Sequence, residues 1–301
     1  MKTVRDTGEF GLIRRLARAL HARDKSVAVG IGDDCAALRS ADPEKFLLLT
    51  CDPVVEGIHF LRGTDPRRVG AKAMARNLSD IAAMGGVPRW AVISIGVRPD
   101  TPVRDVEKLY AGLREMARRF GCAIVGGDTT HVAREPFVVV TVVGEVERKR
   151  VALRSGARVG DVVFVTGKLG GSLRSGKHLT FMPRVREARW LVENFSVHAM
   201  MDVSDGLASD LERLVESSRV GFDICADAVP ANGSLRAALC DGEDFELAFT
   251  VAARDAAALE RKWKSKFNLR LTRIGRVVRR RAVLLDGVLL AAKGYDHFAK
   301  H

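Results

Sequence analysis

Apolar side chains recur along this chain with two periods, and the changes of period mark out its elements. Phe10, Ile13, Leu16 or Ala17, and Leu20 fall three or four apart, which predicts an amphipathic helix near the start. "FLLLT" at 46–50 is a continuous apolar run, so a buried strand is expected, ending on Cys51-Asp52. Residues 67–84 read as a helix stopped by Gly85-Gly86 and Pro88, and 103–120 as a second helix with Val106, Leu109, Tyr110, Leu113, Met116, Ala117 and Phe120 on one side. "WAVISIGV" reads as a strand, "CAIVGGDTT" as a short strand running into a Gly-rich turn, and "FVVVTVVGEV" as a longer strand.

The stretch 147–161, "ERKRVALRSGARVGD", is polar, basic and nearly without periodicity. It is the expected boundary between a first domain, 1–146, and a second, 147–301. Beyond it come a strand at "VVFVTG", a helix around 184–193, a strand end and turn in "MMDVSDG" leading to a helix from about Leu207, a strand in "GEDFELAFTV", a helix near 254–263 and short terminal strands. Strands and helices mix without steady alternation, and no G-x-G-x-x-G opens a helix, so an α+β fold is expected rather than a doubly wound sheet.

Composition narrows the class. The 301 residues suit two ordinary domains, and 47% hydrophobic with 29% charged residues is an ordinary globular balance. No apolar run reaches the length of a membrane span, and charges throughout the first twenty positions, Asp6 and Glu9 among them, argue against a leader. The five cysteines are odd in number and form no C-x-x-C pair, so a reducing cytoplasm is expected. The net charge of +12 is spread over helix faces and short clusters, and the 6% of aromatic residues do not interleave with it. Solvated faces that attract polyphosphate substrates are therefore expected; a nucleic-acid surface is the alternative.

Several carboxylates share one setting, in which an apolar strand or helix end meets Gly, Ser or Thr and then Asp. They are Asp33-Asp34, Asp52 after Thr50-Cys51, Asp80 after Ser79, Asp128 after Gly126-Gly127, and Asp202 and Asp205 around Ser204. Each alone suits a turn or helix cap. Gathered in one place they repel one another and need cations, and oxygen ligands without His or Cys point to Mg²⁺ holding substrate phosphates. Adjacent glycines allow phosphate to approach backbone N–H groups. The residues alone suggest a Mg²⁺-dependent enzyme acting on phosphates.

The same stretches carry a resemblance. "GEFGLI", "GIGDDCA", "CDPVVEGIHF", "KAMARNLSDIAAMGGVP", "GGDTT", "LRSGARVGD", "MDVSDGLASDL", "GEDFELAFT" and "GYDHF" occur in order over nearly the whole chain. Together they are similar to the thiamine-monophosphate kinase family, a branch of the superfamily that includes aminoimidazole-ribonucleotide synthetase. The resemblance implies a two-domain α+β chain whose N-terminal domain forms a dimeric β-barrel, with a C-terminal α/β sandwich. It implies direct transfer of the γ-phosphoryl group of ATP to thiamine phosphate, with several Mg²⁺ ions and no protein nucleophile. By motif, Asp34, Asp52, Asp80, Asp128, Asp202 and Asp205 match metal ligands, with Thr50 and Cys51 at assisting positions. Tyr110, Gly127, Asp128, Arg154 and Ser204 match ATP contacts, and His59, Glu243 and Tyr295 match residues facing thiamine phosphate.

Two positions depart from the family pattern. Cys51 replaces a Thr and removes a hard oxygen, and the segment 171–183 is short, which alters the rim of the substrate pocket. "GGSLRSGKH" imitates a phosphate cradle from Gly171 to Lys177, but His178 stands where a Ser or Thr hydroxyl belongs, and a lookalike is expected. Two rivals remain: another ATP-dependent phosphate enzyme of the same superfamily, and a non-catalytic basic relative that binds nucleic acid.

Overall fold

The structure is a computed structural model, and it describes residues 2–20, 24–291, 294–295 and 297–298; Asp296 of the terminal motif lies outside them. In chain order the first half comprises α1 (Val4–Thr7), α2 (Glu9–Ala19), β1 (Val27–Val29), β2 (Ala36–Arg39), β3 (Lys45–Val55), α3 (Pro66–Ala83), β4 (Val87–Val97), α4 (Val103–Arg119), β5 (Ala123–His131) and β6 (Phe137–Glu147). The second half comprises β7 (Val162–Thr166), α5 (Ser172–Ser175), α6 (Val185–Asn194), β8 (Val197–Val203), α7 (Leu207–Ser218), β9 (Gly221–Ile224), α8 (Leu235–Cys240), β10 (Glu246–Val251), α9 (Ala253–Lys266), β11 (Leu271–Val278), β12 (Val283–Leu285) and β13 (Val288–Leu289).

The strands form two mixed sheets, in the orders β1-β2-β3-β6-β4-β5 and β13-β12-β9-β11-β7-β10-β8. Along β6 every second residue is buried, because only one face of the first sheet is covered by helices. In the second sheet every residue of β7 and β10 is buried. Val162 and Phe164 join the core shared with the first sheet, while Val163 and Val165 join a second core under α7 and α8.

Helix α3 is the shared wall. Asp65 caps it by accepting the Arg67 N–H, and Pro66 opens its first turn. It lies between both sheets, so Lys72, Asn77 and Ser79 are buried with its apolar residues. Its crossing with α4 is close enough that a Cβ on Gly70 would meet the Leu109 carbonyl oxygen at 2.0 Å, and one on Gly112 the Arg67 oxygen at 1.9 Å. No other residue fits that approach.

Two expectations are corrected here. The strand expected to end at Cys51-Asp52 runs on to Val55, because Cys51, Asp52 and Pro53 pair with Thr141, Val140 and Val139 of β6. "GGDTT" is not a turn: it continues β5 as a parallel edge strand beside β4. Among the described residues the six strands of the first sheet form an open sheet with two edges, and no closed barrel occurs within the chain. No helix of the described residues is long and apolar enough to cross a membrane.

Candidate active site

Three of the sequence-marked carboxylates meet where the two halves join. Asp34 follows the first strand, Asp80 sits in the last turn of α3 and Asp202 near the end of β8, and each offers an oxygen within 4.8 Å of the others. Hydroxyls orient two of them: Thr50 Oγ1 donates to Asp80 Oδ2 at 2.5 Å, and Ser79 Oγ donates to Asp202 Oδ2 at 2.5 Å. Burial raises the Asp80 carboxyl well above its ordinary range, and the charges of Asp52, Asp202 and Asp34 push it further. Burial, then the Asp34 charge, raises Asp202 to about 7, and the same causes raise Asp33 to about 7. A cluster that favours protons this strongly has room for positive charge.

Cations from the chain answer part of this. Arg154 clamps Asp34 with Nη2 at 2.7 Å and Nε at 3.2 Å, and its backbone N–H donates to Asp33 at 3.1 Å. Asp33, which the motif match leaves out of the metal ligands, thus fixes the segment that carries Arg154. Asp52 pairs with Arg76 at 3.2 Å, and its N–H donates to Asn77 Oδ1 at 2.9 Å.

On the far side of Arg76 a cleft is lined by His59, Arg76, Ser204, Asp205, Glu243, Tyr295 and their neighbours. Glu243 has φ 59°, a left-handed turn held by its N–H donating to the Ser204 carbonyl at 2.7 Å. Its carboxylate takes the buried Lys72 ammonium at 2.7 Å. That ammonium also donates to the His59 carbonyl oxygen at 2.7 Å. His59 accepts the Val55 N–H on Nδ1 at 3.1 Å. Burial, with Arg76 and Lys72 nearby, lowers its pKa to about 3, so the ring is neutral. Tyr295 reaches the cleft because its N–H donates to the Asp205 carbonyl at 3.0 Å. Asp205 itself pairs with Arg213 at 2.8 Å, and buried Asp210 accepts the N–H groups of Ser204 and Asp205 at 3.0 and 3.1 Å.

Four marked residues stand apart from this assembly within one chain. Cys51 alternates to the exposed face of β3, opposite Thr50, where Thr141 Oγ1 donates to its sulfur at 3.2 Å. Gly127 and Asp128 lie on exposed β5, with β6 and β4 between them and β3. Three strand spacings put them about 14 Å from Asp52. Tyr110 lines a separate cavity of about 800 Å³ beside Arg114, Arg118, Cys122 and Ile124.

The pattern of Asp-containing turns did not single out Lys72, Arg76 or Asp210. A signal existed for the first two: Lys72, Arg76 and Asp80 fall four apart, on one stripe of α3. The imitation cradle is explained by its contacts. Lys177 Nζ donates to Glu246 Oε1 at 3.2 Å and to the Lys168 carbonyl at 2.9 Å, and Arg184 grips the same Glu246 at 2.6 and 2.7 Å. The lysine serves a buried carboxylate.

The chain is similar to known proteins over nearly its whole length. Residues 32–146 match the AIR synthase related protein, N-terminal domain, and residues 158–286 the corresponding C-terminal domain. The thiamine-monophosphate kinase of Bacillus subtilis (strain 168) is 35% identical, with 96% of this chain and 99% of the relative covered. That of Aquifex aeolicus (strain VF5) is 34% identical, with 98% and 99% covered. A solved structure described as AaThiL complexed with AMPPCP and TMP superposes with a TM-score of 0.85 at 34% identity, covering 99% of each chain. With both domain matches and identities of 34–35% over nearly the full length, this chain belongs to the thiamine-monophosphate kinase family.

Proposed function

We propose that this protein transfers the γ-phosphoryl group of ATP directly to the phosphate of thiamine phosphate, giving thiamine diphosphate and ADP. The observation that carries the reading is the adjacency of two unlike sites. The carboxylate cluster of Asp34, Asp80 and Asp202 lies on one side of Arg76, and the cleft of His59, Glu243 and Tyr295 on the other. Full-length likeness to thiamine-monophosphate kinases, one of them solved with AMPPCP and TMP, supports the substrates.

The residues present fit a divalent cation: three carboxylate oxygens converge, and burial with mutual repulsion leaves their charge undercompensated. Asp34, Asp80 and Asp202 would hold Mg²⁺, with Asp52 and Thr50 beside them, and when bound the metal supplies charge neutralisation for the phosphates. The chain's own part is positioning. Arg154 and Ser204 face the nucleotide, the neutral His59 ring and the Glu243 carboxylate orient the thiamine moiety, and Tyr295 helps to keep water out. No side chain has to form a covalent bond, because aligning two phosphates and offsetting their charge is sufficient.

The proposal includes a homodimer. The uncovered face of the first sheet presents Leu49, Trp90 and Val92 at 38%, 45% and 42% exposure. Register puts Leu49 in a row with Val143 and Trp90, and Cys51 in a row with Thr141 and Val92. Two such faces packed together would make the barrel that one chain lacks. Asp128, in the row of Ser94, Val139 and Pro53, belongs to that face. Gly127, Asp128 and Tyr110 then serve the partner's nucleotide. The first domain, 1–146, carries most of the nucleotide and metal residues and the dimer face, and 147–301 completes the acceptor site and adds Arg154, Asp202 and Ser204. The five free cysteines suit a cytoplasmic enzyme.

The test is a product balance. Purified protein with ATP, Mg²⁺ and thiamine phosphate should yield ADP and thiamine diphosphate in equal amounts, and EDTA should stop turnover. Formation of AMP, or of free phosphate in step with ADP, rules the reading out.

A further inference from the structure

Lys72, Arg76 and Asp80 form one stripe of α3, and they divide the site between them. Asp80 points into the carboxylate cluster, Lys72 is sealed beneath Glu243 and His59, and Arg76 stands between. Its Nε and Nη2 lie 3.3 and 3.2 Å from Asp52 Oδ2, and its Nη1 lies 3.5 Å from Glu243 Oε1. The Phe245 ring closes one side, with its centroid 5.8 Å from the guanidinium carbon. The group is 13% exposed and borders the cleft.

These contacts are long for charge-assisted hydrogen bonds, which settle at about 2.7–2.9 Å. The other arginines of the site reach that range: Arg154 approaches Asp34 to 2.7 Å, and Arg213 approaches Asp205 to 2.8 Å. Glu243 already has the Lys72 ammonium 2.7 Å from its other oxygen, Oε2. Arg76 is thus a cation enclosed by protein, divided between two carboxylates and committed closely to neither. A planar fork of this kind matches two oxygens of a phosphate.

We infer that Arg76 binds the acceptor phosphate, taking the oxygens of the phosphate group of thiamine phosphate in exchange for its long contacts to Asp52 and Glu243. The inference rests on the proposed function and adds to it the residue that brings one anion up to another. A monoanionic or dianionic phosphate beside the carboxylates of Asp52 and Glu243 is repelled unless a fixed cation faces it. Arg76 lies where the acceptor cleft meets the cluster, so holding the phosphate there also aims it at the incoming γ-phosphoryl group.

The experiment compares Arg76→Gln, Arg76→Lys and Arg76→Ala with the unchanged protein. Michaelis constants are measured separately for ATP and thiamine phosphate, and thiamine phosphate binding is followed by calorimetry without ATP. Arg76→Gln should weaken thiamine phosphate by about 10- to 100-fold in both measurements, with the ATP constant moved only a few fold. Arg76→Lys should recover part of the loss, and added guanidinium ion should restore turnover in Arg76→Ala but not raise it in the unchanged protein. If Arg76→Gln binds thiamine phosphate as tightly as the unchanged protein and only melts earlier, Arg76 is a strut between Asp52 and Glu243 and the inference is overturned. If the unchanged protein makes no thiamine diphosphate, the functional reading fails separately. Calorimetry with inorganic pyrophosphate then decides the role of Arg76: binding lost in Arg76→Gln supports a phosphate site, and binding kept overturns it.

Discussion

Arg154 holds both oxygens of Asp34 across the joint between the two halves of the chain, at 2.7 and 3.2 Å, although 120 residues separate them. The Asp34 side chain is fully buried and the Arg154 side chain is 19% exposed. Removing the guanidinium leaves a buried carboxylate without its partner, so Arg154→Ala should lose about 3–5 kcal/mol of stability in chemical denaturation. Arg154→Lys should recover only part, because an ammonium cannot take two oxygens in one plane. Equal stability of Arg154→Ala and the unchanged protein would show that the clamp is not structural.

Lys177→Ala should leave ATP affinity within a few fold, because the lysine is occupied with Glu246 and the Lys168 carbonyl. Stability should fall by about 1–2 kcal/mol, the smaller cost reflecting Arg184, which still grips Glu246. Nucleotide titration followed by fluorescence checks the first half and urea unfolding the second. Loss of ATP binding without loss of stability would restore the cradle reading.

What the chain order shows and what it hides have physical causes. The Asp turns of the cluster are visible because each closes an apolar run, and α3 and α4 are visible because their periodicity is local. The extension of β3 through Cys51-Asp52-Pro53 is not visible, since it depends on eleven residue pairs with β6, whose residues come more than eighty positions later. The strand character of "GGDTT" is equally non-local, resting on its neighbour β4. Arg76 reads in sequence as one more solvated helix charge. Only the burial of α3 between two sheets turns it toward Asp52 and Glu243.

Asp128 provides a test of the dimer. If it serves the partner's site, Asp128→Asn and Asp80→Asn proteins should each be nearly inactive, by a factor of 100 or more by the usual scale of about 3 kcal/mol for lost charge stabilisation. Mixed and allowed to exchange subunits, they should regain activity. A heterodimer contains one site in which both substitutions meet and one in which neither does. Mixtures that stay inactive after exchange has been verified by mass would assign Asp128 to its own chain or to no site at all.

The buried carboxylates set the response to pH and metal. Asp33 and Asp202 rise from 3.8 to about 7 on folding, so the folded chain holds protons that the unfolded chain has released. Their contribution to stability is fully present below about pH 3.8 and is lost as pH rises through 7. His59 acts in the opposite sense: its pKa falls from 6.5 to about 3, so its contribution is present above 6.5 and lost on acidification. Glu147, lowered from 4.5 to about 2, changes only in acid. Between pH 6.5 and 8 the buried aspartates therefore act with little opposition, and the metal-free protein should melt at progressively lower temperature across that interval. Mg²⁺ should raise the melting temperature more at pH 8 than at pH 6.5, since at the lower pH protons compete for the same oxygens. Asp202→Asn should flatten the metal-free profile and reduce the gain from Mg²⁺. A melting temperature that neither falls between pH 6.5 and 8 nor responds to Mg²⁺ would mean that the cluster keeps its charge without a cation and that Asp34, Asp80 and Asp202 hold no metal.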